Sequence, residues 1–253
     1  LWGGQRQAVA IARATAFEEF RVQLDLNEIL TRCEREQLHL SGAIQAHGAL
    51  LHVSRHRAIS HASANCAAIL GVAPENVLGR PVAEVLPRVA DALSRAAGEG
   101  ARVALYGERT PEGALDFDIA VAAGRDGWLV EIYPADSRPN GRLQAFPHFY
   151  QRRKDGIEAL CEEAVAAVMR ETGFDKVMAY RFREDWTGEV IAEASNDPSL
   201  DMYLGQRFPA SDIPKIARDL YVRNPSRLIA DVRAPTVPIV SRDGDLLDLT
   251  YSE

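Results

Sequence analysis

Residues 33–51, CEREQLHLSGAIQAHGALL, contain the pattern that decides the fold of this chain. The stretch places one thiol, Cys33, beside a Glu-Arg-Glu run and follows it with glycine-containing loops and two histidines, His39 and His47. An apolar run then opens at Ala49. Because a buried strand or helix would not accommodate three consecutive charges, packing alone does not explain this order of residues. The stretch is therefore the first place to look for a function.

Composition and charge are those of a globular protein and exclude several classes. A chain of 253 residues is long enough for two domains, and 47% of its residues are hydrophobic and 26% charged. The net charge of −7 argues against a nucleic-acid surface, which needs a clustered basic face. No apolar run approaches the roughly 20 residues that span a bilayer. Three irregularly spaced cysteines fit a reducing compartment, so the expected location is the cytoplasm, without a membrane or nucleic-acid partner.

From Gly48 onward the pattern predicts a domain of mixed helices and strands. Residues 49–53 are typical of a strand, and short helices are expected at residues 63–70 and 81–86, the second with proline at its first position. Three strands separated by glycine-containing turns are expected next, at residues 103–106, 115–121 and 128–133. In the last of these, Trp128, Val130 and Ile132 alternate with other residues, so that one face should be buried and the other partly wet.

A domain boundary is expected after these strands. Residues 134–147 are rich in Pro, Gly, Asn and Asp and are predicted to be the boundary. Apolar residues then recur at helical spacing over residues 157–169, and Gly173 ends the helix. Strands are expected at residues 177–182 and 189–194. In the first of these strands, Met178, Tyr180 and Phe182 lie on one face.

A second motif, FPASDIP, occupies residues 208–214. From the residues alone, Ser211 or Asp212 can cap a helix that begins near Pro214. Ile216, Leu220 and Tyr221 would form the buried stripe of that helix. The motif is therefore open to a purely structural explanation when it is considered by itself.

Together the two motifs resemble the bacterial phytochromes, whose patterns are C-E-R-E, H, G, I-Q-P-H-G and, later, P-A-S-D-I-P. The matching positions of the first motif are Cys33, Glu34, Arg35, Glu36, His39, Gly42, Ile44, Gln45, His47 and Gly48. Ser41 and Ala46 stand where that family usually has proline. The resemblance covers roughly residues 25–253.

The fold that this resemblance implies is α+β, in two domains that each consist of an antiparallel sheet with flanking helices. Residues 1–32 would form an N-terminal arm, residues 33–140 a PAS domain, and residues 147–253 the first part of a GAF domain. The family's knot would require the arm to pass through a loop of the second domain, for which residues 230–249 are the natural candidate.

The resemblance also implies a bound linear tetrapyrrole, biliverdin, joined by a thioether from Cys33 to a vinyl group of its A-ring. The thiolate is the competent nucleophile for such an attachment. The main-chain carbonyl of Asp212 would serve the pyrrole N–H groups, and Tyr221 and Arg227 would lie near a propionate. The remaining expected pocket residues are Met178, Tyr180, Phe208, Ser211, Ile213 and Pro214. Core packing remains an alternative for Met178, and a solvated surface charge remains one for Arg227.

The implied function is red/far-red light sensing, in which photoisomerisation biases downstream PHY and output domains, including a histidine kinase, in a homodimer. No catalytic residues are expected in this segment, because it has no P-loop, G-x-S-x-G or H-E-x-x-H pattern. No metal site is expected either, since His52 and His56 would lie ~13 Å apart along a strand, too far to share one zinc ion. The alternative function is a pigment-free PAS–GAF module for signalling or dimerisation.

Overall fold

The computed structural model describes residues 36–109, 116–134, 156–224 and 226–252. Contacts between Cα atoms divide the chain into two compact units. Of the described residues, the larger unit contains 36–109, 116–134, 216–224 and 226–252, and the smaller unit contains 156–215. The N-terminal arm, Cys33 and most of the expected boundary at 134–147 lie outside the described residues. The domain limits expected from the sequence, 33–140 and 147–253, stay a prediction.

The larger unit is built on a seven-stranded sheet in which every neighbouring pair is antiparallel. Its strands are β1 (Ala43–Ile44), β2 (Ala49–Ser54), β3 (Ile59–Ser63), β4 (Arg102–Arg109), β5 (Asp116–Ala123), β6 (Gly127–Pro134) and β10 (Val237–Ser241). Their order across the sheet is β1-β10-β3-β2-β6-β5-β4. A strand from near the end of the chain therefore lies between two strands from its beginning.

Four short helices pack against this sheet and complete its main core. They are α1 (Cys66–Leu70), α2 (Pro74–Val77), α3 (Val82–Val85) and α4 (Pro87–Arg95). Helix α4 carries Val89, Ala92 and Leu93 at helical spacing, and all three are buried. The apolar residues of one helix face thus meet the inward-pointing residues of the strands.

The second face of the sheet is also covered, which corrects one expectation from the sequence. Strand β6 is buried on both faces for six residues rather than on one. Leu129 packs with Leu50 and with two residues of the C-terminal segment, Leu247 and Leu249, in a separate apolar cluster. The alternation within β6 could not reveal this cover, because the covering residues lie more than a hundred positions later in the chain.

Other elements of the larger unit also differ from the expected pattern. The helix expected at residues 63–70 is shorter, because residues 59–63 form the strand β3 and the helix α1 begins only at Cys66. Helix α3 is confirmed, with Pro81 immediately before its first residue. Helix α4 was not expected from the sequence, although Pro87 occupies its first turn.

The smaller unit consists of one long helix on a three-stranded sheet. Helix α5 (Ile157–Thr172) packs on β7 (Lys176–Phe182) and β8 (Gly188–Ser195), and β9 (Arg207–Phe208) extends the sheet in the order β7-β8-β9. Gly173 ends α5 with a φ of 67°, and its N–H donates to the carbonyl of Met169. The expected helix, its glycine stop and both strands are therefore confirmed.

The second sequence motif forms a 3₁₀ turn followed by a helix. The turn is Ala210–Asp212, and helix α6 (Lys215–Arg223) starts one residue after Pro214, as expected. The stripe expected to be buried is only partly so: Tyr221 is 38% exposed, and no residue of α6 is fully buried. Among the described residues, no helix combines the length and the apolar character that crossing a membrane requires.

Candidate functional site

One face of the small sheet carries three aromatic side chains and one methionine, which together we call the aromatic face (Met178, Tyr180, Phe182 and Phe208). The ring centroids of Tyr180 and Phe182 are 5.3 Å apart, and those of Tyr180 and Phe208 are 6.1 Å apart. Met178 and Phe182 each keep 39% of their surface exposed. Helix α5 covers the opposite face, where its Glu158 accepts a hydrogen bond from Arg181. The cluster therefore presents an apolar surface that the smaller unit itself does not bury.

Gly188 fixes the position of Tyr180 on this face. The Tyr180 side chain lies directly over Gly188, so that a Cβ atom added there would stand 1.7 Å from Tyr180 Cζ. Gly188 is also the cross-strand neighbour of Phe182 on one side and of Phe208 on the other. The absence of a side chain at this one position allows three aromatic rings to come together.

The FPASDIP motif brings a carboxylate towards the aromatic face. Phe208 closes β9, and the 3₁₀ turn that follows places Asp212 at the surface, with its N–H donating to Pro209 over 3.1 Å. Burial raises the pKa of the Tyr180 hydroxyl, and the negative charge of Asp212 raises it further. Tyr180 and Asp212 are therefore close enough to interact electrostatically.

Tyr221 and Arg227 lie in the larger unit, in the wall of a cavity of about 430 Å³ that we call the Arg227 cavity. Arg227 donates from Nη1 to the carbonyl of Ser252 over 2.6 Å and from Nη2 to the carbonyl of Thr250 over 3.2 Å. Burial lowers the pKa of its guanidinium, whereas Tyr221 and Glu131 raise it. Arg227 is thus anchored in the cavity wall and is not a fully solvated charge.

Residues of the first motif form another part of the same wall. The side chain of Gln45 accepts a hydrogen bond from the N–H of Ala230 over 2.8 Å and donates one to the carbonyl of Leu228. The ring of His47 stacks on Tyr133 with centroids 5.6 Å apart and an interplanar angle of 19°. The IQAHG sequence therefore joins the start of the larger unit to its C-terminal segment, beside the Arg227 cavity.

Comparison with known proteins agrees with this geometry. A family model described as a PAS fold matches residues 33–134. The chain is 35% identical over 232 residues to the phytochrome-like protein Cph1 of Synechocystis, across 86% of this chain and 31% of that protein. It is 35% identical over 239 residues to the bacteriophytochrome of Pseudomonas aeruginosa, across 88% of this chain and 32% of that protein.

A solved structure decides the family. The chromophore-binding domain of Stigmatella aurantiaca phytochrome P1 superposes with a TM-score of 0.72 and 34% identity, over 87% of this chain and 77% of that one. This chain belongs to the bacteriophytochromes. The expected α+β PAS–GAF architecture is confirmed by the same match. The bacteriophytochrome segment described here spans about a third of the length of the curated relatives named above.

The structure places the expected bacteriophytochrome site residues in two groups. The smaller unit holds the aromatic-face residues together with Ser211, Asp212, Ile213 and Pro214, and the larger unit holds Tyr221 and Arg227. Tyr180 and Phe208 are brought into contact distance, and Asp212 is brought within electrostatic range of Tyr180. Their role in binding a pigment stays a prediction.

Two further rings join the aromatic face without having been expected from the sequence. Tyr203 lies 6.1 Å from Phe208 at an interplanar angle of 87°, and Trp186 lies 6.4 Å from Phe182. Both residues come from loops, where no hydrophobic periodicity marks them. The only signal in the sequence was that Trp186 follows the strand expected at residues 177–182 and that Tyr203 precedes the FPASDIP motif.

One of the two cysteines in the described part of this bacteriophytochrome is unsuited to attachment. Cys66 is fully buried on α1, and burial raises the pKa of its thiol, which disfavours the thiolate. Cys161 lies half-buried on α5. Cys66 therefore packs as a small buried hydrophobe.

Proposed function

We propose that this chain is the light-sensing segment of a red/far-red photoreceptor that binds biliverdin covalently through Cys33. The observation that carries the proposal is the partly exposed aromatic face beside Asp212, in a chain that belongs to the bacteriophytochromes. The solved relative from Stigmatella aurantiaca is named as a chromophore-binding domain. A bound bilin supplies light absorption and isomerisation of the double bond next to its D-ring.

The aromatic face suits a flat conjugated pigment. The rings meet at 42° and 82°, and a planar apolar group can pack on their exposed surface with favourable edge and face contacts. Covering Met178 and Phe182 would also remove exposed apolar surface from water. In this proposal, the aromatic face packs against the D-ring of the pigment.

Asp212 supplies the polar partner that a buried bilin needs. Pyrrole N–H groups removed from water must find acceptors, since each unpaired donor costs about 1–3 kcal/mol. The proposed acceptor is the main-chain carbonyl of Asp212, with the carboxylate near the D-ring. The location of Asp212 in a turn directly after Phe208 supports this assignment.

Arg227 and Tyr221 are the proposed partners of a propionate. The two carbonyls that hold Arg227 use two of its five N–H donors, which leaves a fork available for a carboxylate. A charge-assisted pair of this kind gains strength in a partly buried setting. The half-buried position of Arg227 in a cavity wall supports this role.

Cys33 is the proposed attachment residue. Its thiolate would add to the A-ring vinyl group, forming a carbon–sulfur bond while the proton is taken up by carbon. Arg32 and Arg35 favour the thiolate, and Glu34 and Glu36 oppose it. The location of Cys33 within the CERE motif, together with the burial of Cys66, supports this choice.

Downstream PHY and output domains, a histidine kinase among them, and a second copy of the chain are the proposed partners for signal output. The alternative function, a pigment-free PAS–GAF signalling module, is favoured by one observation. Ala46 replaces the proline of the family's I-Q-P-H-G pattern. The two functions differ in whether the chain holds pigment at all.

Expression of the chain with a source of biliverdin tests the proposal directly. We expect a coloured protein that absorbs red light and gives a zinc-dependent fluorescent band on a denaturing gel. Cys33→Ala should abolish the fluorescent band, because the thioether is lost, while Cys161→Ala should retain it. A colourless protein of normal fold would contradict pigment binding and support the alternative. A fluorescent band from Cys33→Ala would place the attachment on another residue.

A further inference from the structure

A buried ion pair lies at one end of the aromatic face. Lys176 is the first residue of β7, and Glu193 lies directly opposite Met178 on β8. The Lys176 Nζ and Glu193 Oε1 atoms are 2.7 Å apart, and the two side chains are 14% and 0% exposed. A fully buried carboxylate is rare, because its desolvation must be offset by close partners.

The pair is tied to the loop that leads into β9. Glu193 Oε2 accepts hydrogen bonds from the backbone N–H groups of Tyr203 and Leu204, each over 2.7 Å. Lys176 donates to the carbonyl of Asp201, and its ammonium group lies 3.9 Å from the centre of the Tyr203 ring. Four interactions therefore fix one short stretch of loop to the sheet.

That stretch carries the ring that abuts Phe208. Tyr203 meets Phe208 edge to face at 6.1 Å, and Phe208 in turn meets Tyr180 at 6.1 Å. Edge-to-face pairs have a defined orientation, so a ring held at one end restricts the next. A continuous series of contacts thus runs from the ion pair to the centre of the aromatic face.

We propose that Lys176 and Glu193 are positioning residues of the bilin site, which fix the ring orientations of Tyr203 and Phe208. The inference rests on the proposed function, since it assigns these residues to the same pigment site. A buried ion pair is often no more stabilising than apolar residues of the same volume. What it adds here is a fixed position: Oε1 of Glu193 faces the Lys176 ammonium, and Oε2 accepts hydrogen bonds from two backbone N–H groups of the loop.

The first arm of the test uses the pigment-free protein. Lys176→Met removes the ammonium and keeps a side chain of similar length. We expect the amides of Tyr203 and Leu204 to exchange hydrogen faster than in the wild type, as their acceptor loses its fixed position. Arg181→Met is the matched control. Arg181 lies on the same strand as Lys176 but on the face covered by α5, and the substitution breaks its ion pairs with Glu158 and Glu189. It should leave both amides protected.

The second arm uses the biliverdin-loaded chain. Lys176→Met should give a broadened and shifted red absorption band, because rings in several orientations create several pigment environments. Lys176→Arg, which keeps the positive charge, should show the wild-type band. Arg181→Met should show the wild-type band as well. Should Lys176→Met fail to fold, the double variant Lys176→Met/Glu193→Gln leaves no unpaired buried charge and takes its place.

The outcomes separate the two proposals. A wild-type chain that takes up no biliverdin contradicts the proposed function, whatever the variants do. A wild-type chain that binds pigment, with an unchanged band and unchanged amide exchange in Lys176→Met or the double variant, overturns the positioning role alone. Broadening that Lys176→Arg does not reverse also overturns it, because the effect would then not depend on the charge.

Discussion

At the scale of single residues, Gly188 illustrates how one missing side chain organises a site. The Tyr180 ring occupies the space in which any β-carbon at position 188 would lie. The position is buried in β8, between the strands that carry Tyr180 and Phe208. The aromatic face therefore depends on a glycine that lies outside both sequence motifs.

Gly188→Ala is expected to displace the Tyr180 ring. The added methyl group would overlap the ring, so we expect the unfolding free energy to fall by about 1–3 kcal/mol, the usual cost of overpacking. Urea unfolding measures this loss. Gly98→Ala is the control, because a β-carbon at Gly98 meets nothing within 4 Å. Equal stability of the two variants would contradict the close approach of Tyr180.

His52 is a second residue whose surroundings have a measurable consequence. It lies on β2 with 9% of its surface exposed, and its Nδ1 is hydrogen-bonded to Ser60 Oγ over 2.6 Å. Its neighbour on the adjacent strand β3 is His61. Burial, with a smaller contribution from His61, lowers its pKa to about 4, although Asp126 opposes the shift. The folded larger unit thus keeps this imidazole neutral at pH values where the unfolded chain protonates it.

The stability of the larger unit is therefore expected to depend on His52 in mild acid. The pKa of His52 in the folded protein lies below the unfolded value of 6.5. Protonation of His52 therefore favours the unfolded chain, and this destabilisation is absent above pH 6.5 and grows as the pH falls towards 4. We expect the free energy of unfolding to fall by about 3 kcal/mol between pH 6.5 and pH 4. His52→Gln should remove this part of the pH dependence, whereas the exposed His56→Gln should not. Identical pH profiles for wild type and His52→Gln would disprove the assignment.

At the scale of elements, sequence patterns predicted those helices and strands whose formation depends on neighbouring residues in the chain. Helix α5 was expected because its apolar spacing has a period of 3.6, and Gly173 stops it by adopting a positive φ. Strands β3 and β10 were not expected. Their sequences, ISHAS and VPIVS, are short, and the second contains a proline. The pairing of β10 with β1 and β3, which lie far earlier in the chain, leaves no mark in a sequence window.

The C-terminal segment contributes to the core as an element, and Leu247 tests this. Leu247 is 6% exposed against β6, while its neighbour Leu246 is 63% exposed. Leu247→Ala should lower the unfolding free energy of the larger unit by about 2–5 kcal/mol, through lost burial and a residual cavity. Leu246→Ala should change it by less than about 0.5 kcal/mol. Chemical denaturation that ranks them equally would contradict the cover over β6.

At the scale of the whole molecule, the site was recognisable from the sequence only through two motifs. The resemblance pointed to Tyr180, Phe208 and Asp212. In the structure the rings of Tyr180 and Phe208 meet, and the charge of Asp212 raises the pKa of Tyr180. The resemblance gave no indication of Tyr203, Lys176 or Glu193. Their association depends on how the loop before β9 folds back on the sheet, and that is a tertiary property.

Arg227 offers a test of pigment recognition at this scale. If Arg227 holds a propionate, Arg227→Gln made in a Cys33→Ala background, where no thioether forms, should raise the dissociation constant for biliverdin by about tenfold or more, the value of a lost charge-assisted hydrogen bond. Titration of the pigment-free protein, followed by absorbance, measures this. Arg223→Gln, at the exposed end of α6, is the control. Equal affinities for the two variants would remove Arg227 from the pigment site.

The insertion of β10 between β1 and β3 has a consequence for biosynthesis. Residues 237–241 must leave the ribosome before the sheet of the larger unit can close. At translation speeds of about 5–20 residues per second, the nascent β3 waits on the order of ten seconds or more with an unpaired edge. During that interval the emerging chain is open to strand pairing with its neighbours on the same polysome, so its yield in cells should depend on chaperones that shield exposed edges.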